Sequence, residues 1–385
     1  MKSILVRNGK VVLPGLTADE SSILVEDERI VAISGADTNP VSDKVLDAGG
    51  HTIFPGFIDV HIHGAVGIDV NTADADGLFK IAEFLARNGV TAWVPTLVPD
   101  SDENYRLAID SIDRLMEVQV DWPVAQALGV HYEGVFANEQ MCGALQPEFF
   151  KNFTGNEIAE LPRLKKGVHM TTLAPEIEGG TELVSELVRQ GWIVSIGHTK
   201  AETHTLDAAC DAGAKHLTHF YNAMTGLHHR DIGVVGWALT RDDVTFDIIA
   251  DGIHVHPNML EFACRSKTPD LVSLISDSIA PAGLGDGDYD IWGETISVIG
   301  GKTRNERGSI AGSVITMHDA VKRMLSLGFS AVEVSKMASL NPAKLLGIQD
   351  SYGSIEIGKR ADLVAMDETG TIKLVMIGGK IAFEA

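Results

Sequence analysis

The strongest constraint on the fold is an alternation. Eight short apolar runs read as strands: HTIFPGFIDV at 51–60, VTAWVPTLV at 90–98, VAQALGVHYE at 124–133, VHMTTLAP at 168–175, WIVSIGH at 192–198, KHLTHF at 215–220, TFDIIAD at 245–251 and LVSLISD at 271–277. Most are separated by helix-forming stretches such as GLFKIAEFLARNG, YRLAIDSIDRLME, ELVSELVRQG, AETHTLDAACDAGA and PNMLEFACR. In the first of these, Leu78, Ile81, Ala82 and Leu85 fall at i, i+3, i+4 and i+7, and Gly89 stands just past the end as a helix stop. Eight βα units over roughly 300 residues predict a (β/α)8 TIM barrel, which needs about 250 before insertions. An open doubly wound sheet is disfavoured, because no GxGxxG follows an early strand.

The ends of the chain have a different character. ILVRNGKVVLP and SSILVEDERIVAIS near the start, and GSIEIGKRADLVAMD and TIKLVMIGGKIAF near the end, alternate apolar and polar residues around glycines with no helical period. Each is too small to bury a core alone. They are expected to share one β-sandwich side domain, residues 1–51 plus 347–385, beside the barrel at 52–346.

Polar residues worth chemistry fall at the C-terminal ends of the predicted barrel strands, where barrel active sites are built. His61 and His63 close the first, Glu133 the third, His198 the fifth, His219 the sixth and Asp277 the eighth. Residues two apart in a strand point to one face, so a His-x-His pair can bring both imidazoles to one ion. Imidazole with carboxylate suits a catalytic divalent metal, zinc, iron or manganese, with a position left open for water. A lone strand histidine is more often a satisfied core or surface residue, and His51, His169, His204, His216 and His318 take that reading, while His228, His229 and His256 are placed in loops. Asp59, two before His61, is expected to orient a ligand through a hydrogen bond.

Charge and cysteine usage narrow the partners. Lys plus Arg total 31 against 53 Asp plus Glu, a formal net charge of -22, which disfavours nucleic acid and anionic membrane. MKSILVRNGK lacks the apolar core of a secretory signal and no run is long enough for a membrane span, so a cytoplasmic protein is expected. Cys142, Cys210 and Cys264, odd in number and widely spaced, fit a reducing compartment.

At these residues the chain resembles the amidohydrolase superfamily, and within it the N-acetylglucosamine-6-phosphate deacetylases. PGFIDVHIHG at 55–64 is similar to the first-strand motif of the superfamily, and GSIEIGKRADLVAMD to its C-terminal β segment. HYEG at 131–134, TLAPE at 172–176, GHTKA at 197–201, THFYNAM at 218–224, IADGIHVHP at 249–257 and SDSIAPAGL at 276–284 are similar to the deacetylases in order and number. The resemblance implies metal-dependent removal of the acetyl group from an N-acetylhexosamine 6-phosphate, most simply N-acetyl-D-glucosamine 6-phosphate. It implies that Glu133, His198 and His219 hold the principal metal, that His61 and His63 support a second, and that Asp277 is the general acid/base. By the same resemblance Asn222, the backbone of Ala223, Arg230 and His254 grip the sugar phosphate, and the arginine can come from the neighbouring subunit of a homodimer.

The match departs mildly at SDSIAP, where TDAMAP is more usual and the aspartate is retained, and more sharply in one loop. Family members carry EGPF followed by a KGAH-type turn whose histidine reaches the sugar near its amide. Here the text is EGVFANEQMCGALQPEFF, with Val135 for the proline and Leu145 where the histidine is expected. Leucine cannot donate a hydrogen bond or polarise a carbonyl, which leaves open another group such as His131 in that role, a different N-acylated amino sugar phosphate such as the galactosamine isomer, or another amide.

Overall fold

The computed structural model describes residues 3–35 and 40–385. Its centre is a ring of eight parallel strands in sequence order: Phe57–Ile62, Val90–Leu97, Gly129–Phe136, Val168–Leu173, Ile193–Ile196, His216–Leu217, Thr245–Ile249 and Val272–Ile275. All eight predicted runs are strands here, and the third has a short first piece, Gln126–Ala127. The ring closes just past the strand ends, where the Asp277 N–H donates to the His61 carbonyl at 3.0 Å and the His63 N–H to that of Ser278 at 2.8 Å.

Local sequence explains the helices that wrap the ring. Asp74 caps Ala75–Arg87 by accepting from the Gly77 N–H, and Leu78, Ile81, Ala82 and Leu85 are buried as their spacing requires. Ser101 caps Asp102–Val118 in the same way. These apolar faces, the outward faces of the strands and one face of the terminal sheet form one continuous core that includes Trp93, Tyr105, Tyr132, Phe246 and Val375. A second cluster joins Ile58, Val60, Ala92, Val94, Ile249 and Ile275 to Ala343 and Leu346. Alternation puts Ala92 and Val94 on the face of the second strand that carries Thr96, whose hydroxyl lies 3.5 Å from His131 Nδ1 on the neighbouring third strand.

Both termini meet in a separate sheet of eight strands that encloses its own core of Val6, Ile23, Ile30, Ile53, Leu363 and Met376, among others. Leu363–Met366 pairs antiparallel with Thr52–Pro55, which also pairs with the first strand of the chain. Residues 52–55 therefore belong to the terminal sheet, on the far side of the expected boundary at 51/52, because their backbone groups pair there before the chain enters the barrel at Phe57.

Two features lie outside the sequence expectations. A three-stranded antiparallel sheet, Gly287–Ile291, Glu294–Ile299 and Lys302–Arg304, is inserted after the eighth barrel strand. Short helices at Gly233–Leu239 and from Met317 to Leu345 complete the outer layer.

Candidate metal centre and pocket

The strand ends meet as their spacing implies. His61 and His63 Nε2 atoms converge to 3.0 Å, as do those of His198 and His219. Glu133 sits between the pairs: Oε1 is 3.0 Å from His219 Nε2, 3.2 Å from His198 Nε2 and 3.4 Å from His61 Nε2, and Oε2 is 3.2 Å from His63 Nε2. Asp277 Oδ1 lies 3.4 Å from His63 Nε2 and 3.5 Å from His61 Nε2. All six side chains are buried.

The backbone is bent to achieve this. His198, His219 and Asp277 have φ of 47°, 35° and 47°, a left-handed conformation that costs a residue with a Cβ and recurs where side chains must be aimed at a site. Register shifts interrupt the first strand between Asp59 and Ile62 and the third between Glu133 and Phe136, as bulges do when they re-aim a side chain.

The donor set fits a divalent cation. The Nδ1 of His63 faces the Thr96 carbonyl at 3.2 Å and that of His198 faces the Met141 carbonyl at 2.8 Å, which fixes the proton on Nδ1 and turns each Nε2 lone pair inward. Two triads, His61, His63 and Glu133, and Glu133, His198 and His219, each place their ligand atoms within 4.8 Å of one another. Electrostatics points the same way. Burial raises the pKa of Glu133, but the charge of His61 and hydrogen bonds from His198 and His219 hold it well below the usual carboxylate range. Burial also raises that of Asp277, and the charge of His61 with the hydrogen bond from His63 brings it below its ordinary value. Burial opposes charge on His63, yet Asp277 and Glu133 raise it to about 10; His219, likewise opposed by burial, is raised to about 9 by Glu133. The cluster is built to hold positive charge, which protons supply when no ion does.

A cavity of about 310 Å³ opens over these groups, and Asn222, Ala223 and His254 line it. Asp251 accepts from the His254 ring at Nδ1 over 2.6 Å and from the Ile253 and His254 N–H groups, so it fixes that imidazole. Asp59 acts on main chain rather than on a ligand ring: it accepts from the N–H groups of His61 and Ser276 and from the Ser276 hydroxyl. Arg230 is exposed and lies outside the lining, which contains no arginine or lysine among the described residues.

Leu145 does line the pocket, whereas His131 does not. His131 is two residues before Glu133 on the same strand face and so lies deeper, fully buried, with Nε2 2.7 Å from the Thr172 hydroxyl; burial pushes its pKa well down and keeps it neutral. It cannot serve in place of the missing histidine. Three contributors escaped sequence reasoning: the Met141 carbonyl, Asp247 and Trp292. Asp247 receives the His219 N–H at 2.5 Å and faces His216 Nε2 at 3.1 Å. Its position inside a predicted strand was the available signal.

Comparison with known proteins agrees with the geometry. The amidohydrolase family model matches residues 52–382. The chain is 37% identical over 369 residues to an N-acetylgalactosamine-6-phosphate deacetylase from Escherichia coli O157:H7, covering 94% of this chain and 95% of that one. It is 32% identical to an N-acetylglucosamine-6-phosphate deacetylase from Bacillus subtilis, covering 99% and 98%. The crystal structure of N-acetylglucosamine-6-phosphate deacetylase from Pasteurella multocida superposes with a TM-score of 0.91 at 26% identity, covering 98% of this chain and 99% of that one.

Proposed function

The chain belongs to the amidohydrolase family, and from that premise we propose that it hydrolyses the N-acetyl group of an N-acetylhexosamine 6-phosphate, N-acetyl-D-glucosamine 6-phosphate in the first place, to acetate and the amino sugar 6-phosphate. The observation that carries this reading is the convergence of four histidines and two carboxylates at the floor of one pocket.

In this reading Glu133, His198 and His219 hold the principal ion, and His61 and His63 support a second. A divalent ion bound there, zinc, iron or manganese, supplies Lewis acidity, which brings the pKa of a water toward about 7 and polarises an amide carbonyl. Asp277, kept ionised by its histidine neighbours, takes a proton at its carboxylate from the attacking water and delivers it to the departing amine nitrogen. Asn222, the Ala223 backbone and His254 orient the sugar, and Arg230 of a neighbouring subunit pairs with the phosphate in a homodimer. The terminal sheet and the barrel act as side domain and catalytic domain. No helix among the described residues is long and apolar enough to cross a membrane. The acidic charge and three unpaired cysteines support a cytoplasmic enzyme of a small phosphorylated amino sugar, with neither nucleic acid nor membrane as partner.

The 37% identity to a galactosamine enzyme gives one second reading to test, the C4 epimer as substrate. Both are tested by measuring bound metal and kcat/KM on the two N-acetylhexosamine 6-phosphates and their unphosphorylated forms. Bound metal with turnover of a 6-phosphate is expected, and the larger kcat/KM names the sugar. Metal-loaded protein inert on both phosphates overturns the proposal.

A further inference from the structure

The inserted sheet ends in a turn that violates its own preferences. Ile291 pairs with Glu294, which leaves Trp292 and Gly293 as a two-residue hairpin turn with φ of 54° and 75°. Positive φ at both central residues is the type I′ turn, where asparagine, aspartate or glycine is favoured and a bulky aromatic is strained. The tryptophan is nevertheless firmly held. Its Nε1 donates to Asp69 Oδ2 at 2.8 Å, its carbonyl accepts from the Gln146 amide, and its ring stands edge-on to His63 with centroids 5.5 Å apart. Arg307 ties the same sheet to the opposite loop, donating to the Ala144 carbonyl at 3.0 Å while pairing with Glu294 at 3.2 Å.

Trp292 therefore enters the pocket beside His63. Ala144, Leu145 and Ile310 line the pocket with it. In an amide placed for attack next to Asp277 and His63, the acyl carbon chain begins one bond from the carbonyl carbon and must meet whatever apolar surface adjoins those groups. We infer that Trp292, with Leu145, forms the wall that receives the acyl chain and so sets its permitted length. The inference rests on the deacetylase reading and adds a specificity-determining residue to it. One methylene in such a pocket is worth roughly 10–200-fold in kcat/KM.

The test is kcat/KM for the N-acetyl, N-propionyl and N-butyryl derivatives of the preferred hexosamine 6-phosphate, in the parent and in Trp292→Asn and Leu145→Ala. Asparagine suits the turn better than tryptophan, so the fold is retained and a thermal melt confirms it. The expected result is a parent preference for acetyl over butyryl that narrows by about tenfold or more in Trp292→Asn, with Leu145→Ala shifting it the same way. An unchanged acetyl-to-butyryl ratio, or an equal loss on all three substrates, overturns the inference while leaving the deacetylase reading intact. A parent inert on every acyl derivative overturns that reading, and this inference with it.

Discussion

Asp277 stands at the end of the eighth strand on a left-handed backbone, its carboxylate held ionised by His61 and His63. Asparagine at this position keeps the shape and one oxygen acceptor but cannot take up a proton from water. Asp277→Asn is expected to retain bound metal and the parental melting temperature while kcat falls about 10²–10⁴-fold; near-parental kcat with metal bound would reject a proton-transfer role. The sequence exposed this aspartate and the five ligand-type residues because a barrel forces strand ends together, so that position along a strand already states direction. It exposed Leu145 through its departure from a motif, and the structure places that side chain in the pocket. Trp292 and the Met141 carbonyl were hidden for a physical reason. Each reaches the site through a loop or turn whose path is set by distant contacts, Trp292 through Asp69 and Gln146, the Met141 carbonyl through His198.

Strand lengths explain how much of the ring was readable. The run KHLTHF suggests six residues of strand, but the sixth ladder contains only His216–Leu217, because the chain must turn left-handed at His219 to aim its ring at Glu133. A side chain takes over the pairing that the short ladder omits: Asp247, on the seventh strand, binds the His219 N–H with one oxygen and faces the His216 ring with the other. Asp247→Ala leaves buried polar groups unpaired, at about 1–3 kcal/mol for each, and frees the backbone that carries a ligand. It is expected to lower the melting temperature and to weaken metal affinity by about 10–100-fold, measured by titration with a competing chelator. Unchanged affinity in a folded variant would confine Asp247 to a structural role. The inserted sheet is faint in the sequence, since its first strand, GDYDI, is mostly exposed and buries only Ile291, and only its second, ETISVI, alternates, burying Ile296 and Val298.

A chain of net charge -22 repels an anionic substrate over most of its surface, and the pocket lining supplies no arginine or lysine among its described residues to answer a phosphate. Arg230 is exposed on the loop after the sixth strand, outside the lining of its own chain, which is where a residue destined for a neighbouring pocket would be. A charged hydrogen bond of about 1.5–3 kcal/mol corresponds to roughly 10–150-fold in affinity. Arg230→Ala is therefore expected to raise KM for the 6-phosphate by that factor and to leave the unphosphorylated sugar unaffected; equal losses on both would remove the phosphate role. Mixing variants then decides which subunit the arginine serves. In a C2 dimer formed from Arg230→Ala and Asp277→Asn chains, action across the interface gives one intact site per mixed dimer, because the intact Asp277 of one chain meets the intact Arg230 of the other. With statistical assembly about a quarter of all sites recover parental kinetics at low concentrations of the 6-phosphate. If the arginine serves its own chain, every site carries one defect and the co-expressed mixture shows no more activity than the average of the two variants.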